Sequence, residues 1–148
     1  MGLGDLVGDQ ALESPSHSAD ALNLIFTVWD TAYNQNDIYQ ATRLSVADAW
    51  ENVVKLGPAI NSDYVDGSPS LSSYGLMLFF ASNRPSGFGG IDLYVSVRPT
   101  LDASWGNAVN IGHQVNTQFE ERTPEISANG TLLYFSSNRP GGFGLDDL

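Results

Sequence analysis

Cysteine is missing from the 148-residue sequence, so neither a disulfide bond nor a thiolate metal site can form. Basic residues are scarce: six Lys and Arg stand against 17 Asp and Glu, giving a formal net charge of −11 at pH 7. Surfaces that bind nucleic acid need clustered basic side chains, so we expect no nucleic-acid partner. The acidic excess is compatible with cation binding, but its ordinary consequence is solubility.

Long apolar runs are also lacking, and no stretch reaches the roughly 18 residues that a membrane-spanning helix needs. We therefore expect no membrane span. The first residues, Met1–Leu6, contain neither a basic region nor an apolar core, so no secretory signal peptide is predicted.

The composition favours strands joined by tight turns. Hydrophobic residues make up 42% of the sequence, which is enough for a packed core and too much for a disordered segment. Fifteen Gly and seven Pro are spread among short apolar runs, and these residues punctuate turns. One all-β domain is the expected result.

A tandem repeat organises the sequence. The stretch Ser82–Tyr94 returns at Ser137–Leu148 with an offset of 55 residues, and Trp50 matches Trp105 at the same offset. The first third is a more divergent copy, in which Asp37-Ile38-Tyr39 lies on Asp92-Leu93-Tyr94. A repeat of this length indicates stacked units that bury their apolar surfaces against one another.

Each repeat contains four short extended segments. In the middle repeat they are predicted at 68–72, 76–82, 91–98 and 108–111, with a tight turn at Tyr74-Gly75 between the first two. Four antiparallel strands at this spacing predict a propeller blade. The rival architecture, a solenoid, usually has shorter repeats and parallel strands.

The segments predict three four-stranded antiparallel blades. Blade 1 covers about 13–57, blade 2 about 67–112, and blade 3 about 122–148 plus an N-terminal strand, about 2–6, from a partner chain. Three blades cannot enclose a channel, because closed propellers have at least four. A second copy related by a two-fold axis would close a six-bladed ring, so we expect a homodimer.

The repeated motif resembles a known family. Ser-Asn-Arg-Pro-x-Gly-Phe-Gly occurs at 82–89 and again at 137–144, preceded by Ser-Pro or Thr-Pro and followed by Asp-Leu. This pattern is similar to the TolB-like β-propeller repeat, a relative of the WD repeat. The resemblance implies four-stranded blades, often six to a ring, and binding to other proteins more often than catalysis. It also implies a bacterial periplasmic or secreted location. The first repeat departs from the motif, with Val28–Asn36 in place of the Asn-Arg-Pro loop.

One face of such a propeller collects charged and aromatic loop residues, which makes it the default ligand surface. The candidate ligand-binding residues are Asp63, Tyr64, Asp66, Arg84, Phe88, Phe119, Glu120, Glu121, Arg139 and Phe143. A structural role competes with ligand binding. Asp66 and Glu121 are equivalent in the repeat, as are Arg84 and Arg139, so acid–arginine pairs could lock neighbouring loops together.

Other chemistry finds little support in the sequence. The Asp at the start of the third segment (Asp37, Asp92 and Asp147) follows a loop and can accept its backbone N–H bonds, and a calcium site is the alternative. His17 and His113 occupy unrelated repeat positions, so no catalytic or metal-binding set is predicted. No cofactor is expected. Trp29 breaks the repeat in a predicted loop and is the candidate exposed aromatic.

The sequence therefore predicts a non-enzymatic binding or scaffolding module that holds an unknown protein or glycan on its loop face. Two alternatives remain open. A carbohydrate-active, glycosidase-like propeller would need carboxylates at the channel mouth. A fragment split from a longer propeller would have no independent activity.

Overall fold

The structure, a computed structural model, describes residues 10–30, 35–141 and 146–147. Ten β-strands and no helix occur in these ranges, so the all-β prediction is confirmed. Accordingly, the described part of the chain contains no helix that could cross a membrane. The strands form two four-stranded sheets and one two-stranded sheet, and every named pair of strands is antiparallel.

Sheet 1 contains β1 (Ala11–His17), β2 (Asn23–Asp30), β3 (Gln35–Thr42) and β4 (Glu51–Lys55), in that order. It lies over the range in which the sequence predicts the first blade. Its second strand is buried on both faces from Asn23 to Val28, as expected for a central strand, and four of these six residues are apolar.

Sheet 2 repeats this arrangement with β5 (Asp66–Leu71), β6 (Met77–Ser82), β7 (Asp92–Val97) and β8 (Val109–Asn110). Each strand starts and ends within two residues of its predicted segment. Its first hairpin turns at Gly75, whose φ of 70° lies in the left-handed region that glycine adopts without steric cost.

Sheet 3 contains β9 (Glu121–Ile126) and β10 (Leu133–Ser137). A bridge joins Ser137 to Asp147 on the other side of β10. The predicted N-terminal strand at 2–6, the predicted site residue Phe143 and the final Leu148 lie outside the described residues.

The three sheets stack in chain order. The first strand of sheet 2 packs on β1, β2 and β3, and the first strand of sheet 3 packs on β5, β6 and β7. Equivalent hydrogen bonds join the first strands: the Ser16 hydroxyl accepts from Leu71 N–H at 2.9 Å, and the Ser70 hydroxyl accepts from Ile126 N–H at 3.0 Å. The second interface therefore repeats the geometry of the first.

The main hydrophobic core lies between sheets 1 and 2. Sheet 1 and its following loop contribute Ile25, Ile38, Leu56 and Ile60, and sheet 2 contributes Leu71, Leu78, Phe80 and Tyr94. A smaller cluster on the other face of sheet 1 contains Leu24, Phe26, Val28 and Ala41, with Tyr39, Trp50 and Val53 packed against it. Alternation of side chains along each strand sends neighbouring residues to these opposite faces.

A bulge recurs in the first strand of every sheet. Ser14, Ser68 and Thr123 occupy equivalent positions, each precedes a proline, and their φ angles are 48°, 50° and 46°. The strand pairing shifts register beside all three residues. Left-handed backbone is unfavourable for residues with a side chain, so three occurrences at the repeat period indicate a structural requirement of the stacked sheets.

Trp29 corrects one prediction. The sequence places it in a loop, but β2 continues to Asp30, and Trp29 pairs with Ala11 on one side and Asn36 on the other. Its side chain is half-buried. Where the other repeats have the loop motif, sheet 1 therefore has a longer second strand. Such a strand can form without the motif because backbone pairing does not depend on the motif's side chains.

Candidate functional site

The loop face consists of residues 60–67, 83–91, 115–122 and 138–141, which connect strands at one end of the sheets. Asn83 and Val65 exchange two hydrogen bonds, at 2.9 and 3.3 Å. Asn138 and Glu120 repeat the exchange, at 2.9 and 3.3 Å. These bonds bring together the two kinds of loop that the repeat predicted to be neighbours.

An ion pair locks the first two loops. The Arg84 guanidinium lies 2.5 Å from Asp66 Oδ1 and also donates to the Ile60 carbonyl. The other oxygen of Asp66 accepts from the backbone N–H and the hydroxyl of Ser62, at 2.6 and 2.7 Å. The Asp66 side chain is fully buried and that of Arg84 is 16% exposed, so neither charge is available to a ligand without breaking the pair.

The equivalent pair, Arg139 with Glu121, is looser. Its nitrogen–oxygen distance is 3.1 Å, and the Arg139 side chain is 39% exposed while that of Glu121 is fully buried. Glu121 also accepts from Thr117 N–H at 2.8 Å, from the Thr117 hydroxyl at 2.7 Å and from the Ser137 hydroxyl at 2.9 Å. The predicted acid–arginine locks are therefore present in both copies.

The glycine-rich loop closes on the carboxylate that follows it. Asp92 accepts from Phe88 N–H at 2.6 Å and from Gly89 N–H at 3.0 Å, as predicted for this residue. The Asn110 amide donates to the same carboxylate at 2.8 Å. At the equivalent position of sheet 1, Lys55 replaces Asn110 and lies 2.6 Å from Asp37.

Lys55 and Asp37 form an ion pair that the repeat comparison did not single out. The hydrogen bond to Asp37 raises the pKa of Lys55 above its ordinary value. The signal available in the sequence was the match of Lys55 to Asn110 at the repeat offset. Two different donors at that position therefore bind equivalent acceptors, Asp37 in sheet 1 and Asp92 in sheet 2.

Asn61 and Asn116 are a second recurring pair whose role the sequence did not reveal. The Asn61 side chain accepts from Ile38 N–H and donates to the carbonyls of Ile38 and Leu56, all within 2.9 Å. Asn116 makes the corresponding bonds to Leu93. Each amide replaces a strand partner where the third strand of the sheet extends beyond the fourth.

Three predicted site residues remain exposed on the loop face: Asp63, Tyr64 and Phe88. Tyr64 is 45% exposed and Phe88 is 51% exposed, with the His113 ring 6.4 Å from that of Phe88. Phe119 and Glu120 are half-buried, and Glu120 pairs with Arg122 at 2.5 Å. The exposed members are thus two aromatic rings and one carboxylate.

An open groove of about 570 Å³ runs beside Tyr64. Its lining includes Lys55, Pro58, Asp63, Tyr64, Arg84 and Pro85. The groove therefore combines an aromatic surface with charged and hydrogen-bonding groups, the usual composition of a recognition site.

Within the described ranges, no three His, Asp or Glu side chains converge to hold a metal ion. His17 bonds the neighbouring Ser18 carbonyl, and His113 lies against Phe88. Trp50 and Trp105 pack under arginines, with Arg43 and Arg98 at 4.2 and 4.3 Å from the ring centres. Both tryptophans also pack against the hydrophobic clusters, so their shared repeat position has a packing role.

No protein-family model and no curated protein matches the chain. Among solved structures, it is similar to the crystal structure of TolB from Acinetobacter baumannii, with a TM-score of 0.58 and 18% sequence identity. The match covers 88% of this chain and 27% of that one, so the chain spans about a quarter of the length of the protein it resembles. The likeness shows the fold: the chain has a TolB-like β-propeller fold.

Proposed function

We propose that the protein is a non-enzymatic binding module that holds a protein or glycan partner on the loop face. The observation that carries this proposal is the combination of exposed Tyr64 and Phe88 with loops fixed by ion pairs between buried acids and arginines. Aromatic side chains on a rigid backbone offer large contact areas, and few side-chain torsions are lost on binding.

The burial and hydrogen bonding of the recurring acidic residues support a binding role over hydrolysis. A glycosidase needs two carboxylates facing its substrate, one of them free to give and take a proton. Asp66 and Glu121, the recurring acids of the loop face, are fully buried and each is bonded to an arginine and a hydroxyl. Turnover of a panel of aryl glycosides that is lost on substituting Asp63 would contradict the non-enzymatic proposal.

The loop-face proposal is tested by removing its exposed rings. The double variant Tyr64→Ala/Phe88→Ala should lose binding in a glycan array and in a pull-down followed by mass spectrometry. Tyr74→Ala is the matched control, because Tyr74 is 83% exposed on a hairpin turn outside the loop face. Equal retention of ligands by both variants would show that the rings are not the contact surface.

The three sheets are, in this proposal, successive blades that form half of a six-bladed ring, and a second copy closes it. Support comes from the equivalent hydrogen bonds that join sheet 1 to sheet 2 and sheet 2 to sheet 3. Closure would protect strand edges and apolar faces that an open arc exposes.

Light scattering at two protein concentrations tests the closure. We expect a solution mass of twice the 15.9 kDa chain mass. A mass of one chain at concentrations of about 10 μM or above would contradict the ring, because a closing interface of two blade contacts should be stable there.

A further inference from the structure

An arginine stacked on a tryptophan recurs directly after the third strand of both complete sheets. Arg43 lies 4.2 Å from the Trp50 ring centre, and Arg98 lies 4.3 Å from that of Trp105. Each Nε–H group also donates at 2.8 Å to a backbone carbonyl in the first hairpin turn of its own sheet. The two guanidinium groups are therefore anchored in the same way.

The terminal nitrogens of the two arginines differ in their partners. In sheet 1, Arg43 Nη1 donates to the Val46 carbonyl at 3.2 Å. In sheet 2, Arg98 Nη2 is buried without a hydrogen-bond acceptor, and so is Nε1 of Trp105. Among the described residues, these are the two buried side-chain nitrogens that lack an acceptor. Both unpaired donors thus belong to one stacked pair, and an unpaired buried donor destabilises the fold.

Arg98 is also a buried cation without an ion-pair partner. The residue is 5% exposed, whereas Arg43 is half-buried. Burial lowers the pKa of Arg98, and the nearby charge of Asp102 offsets this only in part. None of the ion pairs among the described residues includes Arg98. Because a buried charge is costly unless it is paired, an anion placed beside this guanidinium would be stabilised.

An open groove of about 580 Å³ passes this pair. It lies between the edge strand of sheet 1 and the turn that follows β7, and Arg98 and Trp105 both line it. Apolar side chains such as Val54 and Pro58 form much of the remaining lining. Lys55 lines the groove as well, but it already forms an ion pair. The groove adjoins the one on the loop face through residues 55–58, and the arginine and tryptophan line this groove and not that one.

Leu101 lies next to the unpaired nitrogen of Arg98. Leu101 Cδ2 and Arg98 Nη2 are 2.9 and 3.6 Å from the position that a Cβ atom would take on Gly75. Leu101 is 42% exposed, and exposed side chains change rotamer within nanoseconds. Rotation of this side chain into solvent would open the buried donors to the groove.

We propose that this groove binds a small organic carboxylate, whose oxygens accept hydrogen bonds from Arg98 and Trp105 and whose apolar body lies along the groove. One negative charge compensates the single unpaired guanidinium, and two oxygens match the two donor nitrogens. Phosphate carries more oxygens than these two donors can satisfy, so its desolvation would be less well compensated. This site goes beyond the proposed function and does not use the exposed rings of the loop face.

The test is an NMR titration of the isotope-labelled protein with sodium benzoate at constant ionic strength. Benzoate should shift the indole N–H signal of Trp105 and half-saturate at about 1–10 mM, the range expected for so small a ligand. Benzamide has the same ring without the charge and should bind at least about tenfold more weakly. Phosphate should leave the signal in place. The Trp105→Phe variant assigns this signal among the three tryptophans.

The comparison of benzoate with benzamide uses the unaltered protein, so it does not depend on a variant that fails to fold. Arg98→Gln should remove the preference for benzoate, because it removes the charge. Arg43→Gln is the matched control and should keep the preference, since the Arg43 terminal nitrogen already has an acceptor. Equal binding of benzoate and benzamide, no shift of the Trp105 signal, or an unchanged preference in Arg98→Gln would overturn the proposal.

The carboxylate site and the loop face are tested separately. Backbone amides of residues 83–91 should keep their positions during the benzoate titration. Shifts centred on those amides would place benzoate on the loop face and overturn the carboxylate site. The glycan array and the pull-down decide the loop-face proposal with other ligands, so either proposal can fail alone.

Discussion

At the residue scale, Asp66 and Glu121 occupy equivalent repeat positions and each pairs with an arginine. The two ion pairs nevertheless differ in nitrogen–oxygen distance and in the exposure of the arginine. The Arg84 pair is 2.5 Å long and largely buried, and the Arg139 pair is 3.1 Å long with a more exposed arginine. Removing one member of a buried pair leaves an uncompensated charge, whereas an exposed pair contributes little. Stability should therefore depend unequally on the two arginines.

Arg84→Ala should lower the free energy of unfolding by about 3 kcal/mol, because it strands the buried Asp66 carboxylate. Arg122→Ala is the control: its pair with Glu120 has side chains 42% and 34% exposed, and the loss should stay below about 1 kcal/mol. Urea unfolding measures both. Arg139→Ala should fall between them, and equal losses for Arg84→Ala and Arg122→Ala would contradict the burial argument.

The Lys55–Asp37 pair predicts a loss of stability at alkaline pH. The hydrogen bond to Asp37 raises the pKa of Lys55 in the folded state, so its stabilisation is fully present below lysine's ordinary pKa and disappears as the pH rises through the raised value. Half of the Lys55 side chain is exposed, so solvent limits the effect to about 1 kcal/mol or less.

Urea midpoints of the protein and of Lys55→Met, compared between pH about 9 and about 12, isolate this contribution from tyrosine ionisation. The difference between the two proteins should shrink as the pH rises. A difference that stays constant over this range would show that the ion pair contributes nothing to folding.

At the element scale, close backbone approaches fix the loops as firmly as the ion pairs do. A Cβ atom at Gly89 would overlap the carbonyl oxygen of Phe119 and lie 2.6 Å from that of Thr117. Both obstacles are backbone atoms of the next loop, and they are held by the bonds of Thr117 to Glu121. Glycine at this position is therefore required by packing between loops.

Gly89→Ala should cost about 3 kcal/mol or more, because the clash involves backbone that cannot rotate away. Gly57→Ala is the matched control, since a Cβ there has nothing within 4 Å and its φ is not in the left-handed region. Thermal melting compares the two variants. A Gly89→Ala protein with the same melting temperature as the wild type would mean that the two loops can move apart without loss of stability.

At the scale of the whole molecule, burial is uneven along the stack of sheets. All of β6 except Met77 is buried, whereas only Ser137 is buried in β10. Local opening is easiest where few apolar contacts must be broken. Sheet 3 should therefore open first, and sheet 2 should open last.

Native-state hydrogen exchange tests this order. The amides of β6 should exchange at least about tenfold more slowly than those of β10, because sheets pack on both faces of β6. Amides of β2 provide the reference for a second buried central strand. Equal protection in β6 and β10 would mean that the sheets open as a single unit.

Much of this arrangement could be predicted from the repeat. Strand positions follow from period-two apolar runs and turn residues, and the recurrence of Asp66 with Arg84 and of Glu121 with Arg139 correctly predicted two ion pairs. The pairing of Trp29 could not be predicted, because β2 continues through residues that differ from the motif. The role of Asn61 also escaped prediction, since an amide that replaces a strand partner has no local pattern.

By itself, the sequence determined the all-β architecture, the number of strands in the complete sheets and the acid–arginine pairs, because these depend on local alternation and on residues that recur at one offset. Only the tertiary structure decided which equivalent residues differ in environment. Phe80 is fully buried and Phe135 is half-buried, although their neighbours in sequence are nearly the same. The burial of each ring depends on which strand lies across it. The residues next to the phenylalanine in the sequence do not specify that strand.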